Sequence, residues 1–132
     1  MEKGVFIKNC ESMSLKLFEV MEIEFEDSTE FDRQMLAMFS FGMISAYGME
    51  ENAEVDIVSV ASEYVLIKVF RYSKEQARDF LNLLIDSTKK EKNPTYYRII
   101  HEGIDMYYEY AEGESDKMFD RMMRMYLAFN KK

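Results

Sequence analysis

Proline and glycine are scarce in this sequence, and their scarcity constrains the fold more than any other feature. The chain of 132 residues has one proline and five glycines. A β fold with many turns needs more of both, because they supply the backbone angles that tight turns require. Hydrophobic residues make up 48% of the chain, which is enough for a packed core. We therefore predict an all-α fold, a single compact bundle of five to six helices that forms one domain over residues 1–132.

The segment 5–26 is ambiguous between helix and strand. Phe6 and Leu17 are spaced as on one helical face, whereas apolar and acidic residues alternate between Val20 and Phe25. Such alternation is typical of a strand. A helix with an extended end is the favoured interpretation, and a strand is the alternative.

Capping residues mark the starts of the other predicted helices. Thr29 with Asp32 resembles a capping box, with aspartate in place of the usual glutamate, and Ser73 with Gln76 forms a second one. Asn93 is a third cap, and Pro94 after it suits the first position of a helix. The predicted helices run approximately over residues 30–48, ended by Gly48, then 55–70, 74–88 and 94–111, and a last helix that Ser115 caps and that carries Met118, Met122, Met125 and Phe129.

Acidic residues are concentrated in the first half of the chain. The net charge is −8; residues 1–66 hold 14 acids against four bases, and residues 67–132 hold 11 acids against 13 bases. An acidic surface repels nucleic-acid phosphates, so direct nucleic-acid binding is disfavoured, and it attracts a basic partner. Solubility alone explains the charge equally well. The candidate contacts with a basic partner are Glu22, Glu24, Glu26, Asp27, Glu50 and Glu51.

The single cysteine, Cys10, excludes a disulfide within the chain and a cysteine-based metal site. A lone thiol suits a reducing compartment, and a small buried side chain is its favoured role. The first residues lack the basic region and apolar run of a signal peptide, and no apolar stretch approaches the roughly 20 residues that span a bilayer. We expect a cytoplasmic protein without a cofactor or membrane contact.

The segment RIIHEGIDMYYEY, residues 98–110, contains the only histidine of the chain. His101 and Asp105 are four residues apart and share a helical face, and H-E-x-x-D is similar to the zinc pattern H-E-x-x-H. The second histidine is missing, so a zinc ion would need carboxylates for all its remaining ligands. A metal-dependent hydrolase centred on His101 is therefore disfavoured. The favoured interpretation is a histidine that packs between helices and bonds to a nearby acid or tyrosine.

Gly103 lies in the middle of the same segment, where a glycine costs about 1 kcal/mol relative to alanine inside a helix. A close crossing with another helix would offset that cost, and Gly42 is a second candidate for such a contact. The segment 96–110 also holds five tyrosines, of which we expect about half in the core. Tyr107 and Tyr110 are candidate contacts, because exposed tyrosines are favoured interface anchors.

Three stretches of the chain together resemble a known family. FGMISAYGMEEN, YSKEQARDFLNLLIDST and IIHEGIDMYYEYAEGE occur in this order within roughly residues 39–114. They resemble the all-helical immunity proteins of bacterial polymorphic-toxin systems, immunity family forty-eight. The most specific part is I-I-H-x-G-I-D, carried here by Ile99, Ile100, His101, Gly103, Ile104 and Asp105.

The resemblance implies a non-enzymatic, cytoplasmic protein that binds and neutralises a cognate toxin. The acidic first half suits a basic toxin such as a nuclease, because opposite charges speed association. An acidic helical regulator or nucleic-acid mimic that inhibits a DNA- or RNA-acting enzyme is the alternative. On the first interpretation His101, Gly103 and Asp105 support the fold and take no part in catalysis.

Overall fold

The computed structural model describes residues 1–129, which form six α-helices joined by short turns. No strand occurs in this part of the chain, so the predicted all-α bundle of five to six helices is confirmed. A single 3-10 turn, Phe25–Asp27, precedes the second helix. The helices are α1 (Lys3–Met21), α2 (Glu30–Glu50), α3 (Val55–Lys68), α4 (Lys74–Asp86), α5 (Pro94–Ala111) and α6 (Ser115–Phe129).

The ambiguous N-terminal segment is helical up to Met21, so the strand alternative for it is wrong. Glu22 then adopts a left-handed conformation (φ 55°), and its N–H donates to the carbonyls that end α1. Ile23 and Phe25, the apolar members of the alternating pattern, pack against the core from the turn that follows. The alternation therefore reflects a turn that lies on the core, with its acids on the solvent side.

Helix α2 is the centre of the bundle, and it packs against α1, α3 and α5. Thirteen of its 21 residues are buried, as is typical of a helix surrounded by others. The predicted capping box at its start is confirmed: the Asp32 N–H donates to Thr29 Oγ1 at 3.0 Å, and the Thr29 N–H donates to Asp32 Oδ2 at 2.9 Å.

Gly48 does not end α2, which corrects the predicted stop. The helix continues to Glu50, and the chain turns at Asn52, whose φ is 54°. A Cβ atom at Gly48 would lie 2.6 Å from Cγ2 of Val58. Position 48 therefore needs a glycine because α3 packs against it. This tertiary contact could not be predicted from the residues around Gly48.

The close helix crossing predicted at Gly42 and Gly103 is found between α2 and α5. A Cβ atom at Gly42 would lie 2.1 Å from the Ile100 carbonyl oxygen and 3.0 Å from the carbonyl carbon of Gly103. A Cβ atom at Gly103 would lie 2.5 Å from the carbonyl oxygen of Phe39. The two glycines face each other, and the backbones of the two helices are in direct contact there.

The later helix starts agree with the predicted caps in two cases out of three. Ser73 and Gln76 form their capping box, and the Asn93 side chain accepts the Tyr96 N–H ahead of α5. Ser115 is the first residue of α6 and not its cap. The cap position falls on Glu114, whose carbonyl accepts the Met118 N–H at 3.1 Å.

Two buried serines, Ser40 on α2 and Ser62 on α3, line a small cavity of about 10 Å³. Neither hydroxyl has a hydrogen-bond partner within residues 1–129. We expect Ser62→Ala to raise the free energy of unfolding by about 1 kcal/mol, because a buried polar group without a partner destabilises the fold. Ser14→Ala is the control and should lower it, since the Ser14 hydroxyl donates to the Cys10 carbonyl at 2.9 Å. Urea denaturation measures both, and a loss of stability in Ser62→Ala would contradict the prediction.

Candidate functional site

The acidic residues predicted as contacts fall into two groups at opposite ends of α2. Glu22, Glu24, Glu26 and Asp27 lie in the turn before α2, and we call this segment, residues 22–27, the acidic turn. Glu50 lies in the last turn of α2, and Glu51 follows it. A helix of this length spans about 30 Å. The six acids therefore belong to two separate surfaces, one on each side of the helix predicted over residues 30–48.

All four acids of the acidic turn are exposed, and two arginines contact the Phe25 ring within the turn. The guanidinium carbon of Arg71 lies 4.1 Å from the centroid of the Phe25 ring, and that of Arg33 lies 5.5 Å from it. Arg71 also pairs with Glu26 at 3.4 Å. Among the four acids, Glu26 alone has an ion pair within residues 1–129, so most of the negative charge of the turn faces solvent.

At the other end of α2, Glu50 and Glu51 lie beside the last turns of α5. Burial is the main cause that raises the pKa of Tyr107, and the charges of Glu50 and Glu51 raise it further. Negative charge and tyrosines thus meet on one surface, which we call the acid–tyrosine end and define as Glu50, Glu51, Tyr107, Tyr108 and Tyr110.

Tyr107 is buried, which corrects the expectation that it is an exposed anchor. Its ring packs against that of Tyr47 on α2, with 5.8 Å between the centroids. Tyr110 is half-buried, and the exposed tyrosine of this end is Tyr108, with 52% of its surface accessible. The sequence carried no signal for this difference, because both tyrosines share a helical face with an isoleucine, Tyr107 with Ile100 and Tyr108 with Ile104.

His101 and Asp105 are both exposed on the solvent side of α5, so the predicted packing of His101 between helices is wrong. The buried face of α5 includes Gly103 and Met106, and the side chains of His101 and Asp105 lie on the opposite, exposed face. The His101 ring instead contacts the Tyr97 ring, with 4.1 Å between centroids. In the part of the chain that the structure describes, no group of three or more His, Cys, Asp or Glu side chains is arranged to hold a metal ion.

An arginine that sequence reasoning missed ties α6 to α5. Arg121 Nη1 lies 2.6 Å from Glu102 Oε1, while Nε and Nη2 donate to the two carboxylate oxygens of Glu109 at 3.0 and 2.9 Å. The hydrogen bond to Glu109 is the largest cause that raises the pKa of Arg121. The available signal was the seven-residue spacing of Glu102 and Glu109, which places both on one helical face.

An apolar groove lies between the end of α2, the start of α3 and the end of α4, with a volume of about 610 Å³. We call it the α2–α3 groove. Met49 and Val55 on its wall are 78% and 80% exposed. The sequence did not reveal it, because the end of α4, at Ile85 and Thr88, closes a groove whose other lining residues lie within residues 41–59. Its main lining residues are Phe41, Met49, Val55, Val58, Ile85 and Thr88.

Cys10 is fully buried, and burial raises the pKa of its thiol from 9.0 to about 12. We expect no measurable alkylation of the folded protein at pH 8, because thiolate is the reactive form and the sulfur is inaccessible. The contribution of the neutral thiol to stability is complete below pH 9.0 and is lost as the pH rises towards about 12. Iodoacetamide labelling followed by mass spectrometry measures this, with urea-unfolded protein as the positive control. Fast labelling of the folded protein would contradict the buried position.

The fold and these surfaces define a small all-helical domain with acidic surfaces at both ends of its central helix. No helix within residues 1–129 has the length and apolar content needed to cross a bilayer. A family model described as Immunity protein 48 matches residues 6–126, and the chain belongs to that family. The match extends beyond the stretches that carry the sequence resemblance, to α1 and to most of α6. No curated protein and no solved structure matches the chain.

Proposed function

We propose that this protein is an immunity protein that binds a cognate toxin and neutralises it in the cytoplasm of the cell that produces both. The observation that carries the proposal is membership of the immunity family over residues 6–126. On this proposal the protein acts by occupying a surface of the toxin, and it needs no catalytic group or cofactor of its own.

The charge distribution supports a cationic toxin surface as the partner. The acids of both surfaces, the acidic turn and the acid–tyrosine end, belong to residues 1–66. This is the half of the chain that carries the net negative charge. A toxin that cleaves nucleic acid needs a cationic surface to bind phosphates, and exposed carboxylates compete for such a surface. A basic nuclease is therefore the class of toxin that we propose.

Calorimetric titration tests the proposal in solution. On this proposal the cognate toxin is encoded beside this gene, and its toxin domain, inactivated by mutation of its active site, is the titrant. We expect one toxin molecule to bind one immunity protein with nanomolar or tighter affinity, as for inhibitors that must suppress a lethal enzyme. The proposal would be rejected if the protein is folded, as judged by circular dichroism, and does not bind this toxin.

Paired charge reversals identify which acidic surface faces the toxin. The variants are Glu22→Lys/Glu24→Lys in the acidic turn and Glu50→Lys/Glu51→Lys at the acid–tyrosine end. The reversal on the contact side should slow association by about tenfold at low salt and flatten its salt dependence, because electrostatic steering is lost. Stopped-flow mixing measures the rate.

The matched control for these reversals is Asp79→Lys/Asp120→Lys, which changes two exposed acids on α4 and α6. It changes the net charge by the same amount in the other half of the chain. If the control slows association as much as both of the other pairs, net charge alone would explain the effect, and neither acidic surface would be the contact.

A further inference from the structure

We propose that the α2–α3 groove binds an amphipathic helical segment of the toxin that has an apolar face and a cationic flank. This inference rests on the proposed function and names the surface and the chemistry of the partner. It differs from the acid-based contacts above, because an apolar anchor and a shaped groove set the position of the partner here.

The groove has a volume and an apolar lining that suit the side chains of one helix face. Its volume is about 610 Å³, and Phe41, Val58 and Ile85 supply apolar walls. Amphipathic helices insert anchor side chains one turn apart into grooves of this kind. Met49 and Val55 stand at the entrance with 78% and 80% of their surfaces exposed. A methionine there adapts to different side chains, because its thioether chain is flexible.

The polar side chains of the groove are few, and two of them are already satisfied. The Ser45 hydroxyl donates to the Phe41 carbonyl at 2.9 Å, and the Thr88 hydroxyl donates to the Ile85 carbonyl at 2.7 Å. Asn52 and Ser59 are the other polar side chains of the lining. The surface therefore favours contact through apolar side chains over a network of directed hydrogen bonds.

The negative charge around the groove favours a partner helix with a cationic flank. Residues 34–67 contain no lysine or arginine. Four exposed acids follow or flank the wall residues Met49 and Val55 along the α2–α3 turn, namely Glu50, Glu51, Glu54 and Asp56. A cationic helix gains attraction at this edge, whereas an acidic segment is repelled.

The ends of two helices add to this negative potential. Met49 and Ile85, both on the groove wall, lie in the last turns of α2 and α4, where helix dipoles place partial negative charge. The start of α3 contributes the opposite sign, which Glu54 and Asp56 offset. Beyond Thr88, on the α4 side, the chain carries a basic run, KKEK, over residues 89–92. The cationic flank of the bound helix should therefore face the α2–α3 turn.

Met49→Lys/Val55→Lys tests the groove, because it places two cations at the entrance on side chains that are already exposed. The matched control is Leu15→Lys/Leu127→Lys, whose leucines are 51% and 74% exposed and lie on α1 and α6. We expect the groove variant to weaken binding of the inactivated cognate toxin by at least about tenfold, and the control to change it by less than about threefold. Both variants should melt at the temperature of the wild type.

A model peptide tests the chemistry without the toxin. The probe is a helical peptide with leucine on one face and lysine on the other, compared with the same peptide carrying glutamate for lysine. Fluorescence anisotropy should show preferential binding of the lysine peptide by the wild type and the loss of that preference in Met49→Lys/Val55→Lys.

The outcomes separate this inference from the proposed function. If the wild type binds the toxin and the groove variant binds it equally well, the groove proposal is overturned and the proposed function stands. The same holds if sedimentation shows that the groove variant alters only self-association, or if native mass spectrometry shows a small molecule in the groove with toxin binding unchanged. If the wild type does not bind the toxin but the peptide preference is found, the proposed function fails and the groove retains its specificity for a cationic helix.

Discussion

Gly42→Ala should lower the free energy of unfolding by about 3 kcal/mol or more, the largest effect of any single methyl group in this chain. The added Cβ would lie 2.1 Å from the Ile100 carbonyl oxygen and 2.9 Å from the Ile104 nitrogen. Backbone atoms cannot rotate aside as a side chain does, so α2 and α5 would have to move apart. Alanine in place of glycine inside a helix normally stabilises by about 1 kcal/mol, and the expected sign is therefore reversed here.

Gly4 provides the matched control, because it is also a helical glycine. A Cβ atom at Gly4 would meet only a side-chain oxygen of Glu2, at 3.2 Å, which can move. Gly4→Ala should leave stability unchanged or raise it slightly. Gly103→Ala should resemble Gly42→Ala, and the double variant should cost less than the sum, because both methyl groups separate the same pair of helices. Urea denaturation of Gly42→Ala with a wild-type midpoint would contradict the close crossing.

Arg121→Ala should lower the free energy of unfolding by about 3 kcal/mol. Its side chain is 16% exposed, and the two carboxylates that it bridges are 23% and 15% exposed, so little solvent screens them. Removing the cation leaves Glu102 and Glu109 close together without a partner. Arg121→Lys should recover only part of the loss, because lysine cannot donate the paired hydrogen bonds that the guanidinium gives Glu109.

Two comparisons separate this effect from the ordinary loss of a surface charge. Arg78→Ala removes an exposed arginine 3.9 Å from Glu63 and should cost less than about 0.5 kcal/mol. Adding Glu102→Gln and Glu109→Gln to Arg121→Ala should restore part of the stability, since the uncompensated charges are then absent. Thermal melts that show equal losses for Arg121→Ala and Arg78→Ala would contradict the bridging role.

The helices could be predicted well from the sequence because their boundaries depend on short-range chemistry. The Thr29–Asp32 and Ser73–Gln76 boxes and the Asn93–Pro94 start involve residues within one turn of each other. The stripe of methionines in α6 is likewise buried at Met118, Met122 and Met125. Such patterns need no knowledge of the tertiary structure.

The errors arose where a distant residue decides the outcome. A glycine at this position is typical of a helix end. Gly48 instead lies inside α2, where Val58 on α3 leaves no room for a larger side chain. Tyr107 could not be separated from its neighbour Tyr108 by composition, because burial against Tyr47 depends on how α5 packs on α2. The same reason applies to the exposed His101, which lies only one residue from the buried Ile100.

The charge of the candidate site could be predicted from the sequence, and its layout only in part. Exposed acids were expected, and the six named acids are exposed. They lie at the two ends of α2, which occupies the range of the predicted helix over residues 30–48. The α2–α3 groove depends on the packing of three helix ends, which no short stretch encodes. The paired carboxylates around Arg121 required knowledge that α6 returns along α5.

Growth of a toxin-sensitive bacterium measures most directly whether this chain protects a cell from a toxin. The cognate toxin domain is expressed from an inducible promoter in a sensitive bacterium, with or without the immunity protein. Protection by the wild type and by the Asp79→Lys/Asp120→Lys control, together with growth arrest when the immunity protein is absent, is the result predicted here. Growth arrest in the presence of abundant, folded wild-type protein would contradict the account.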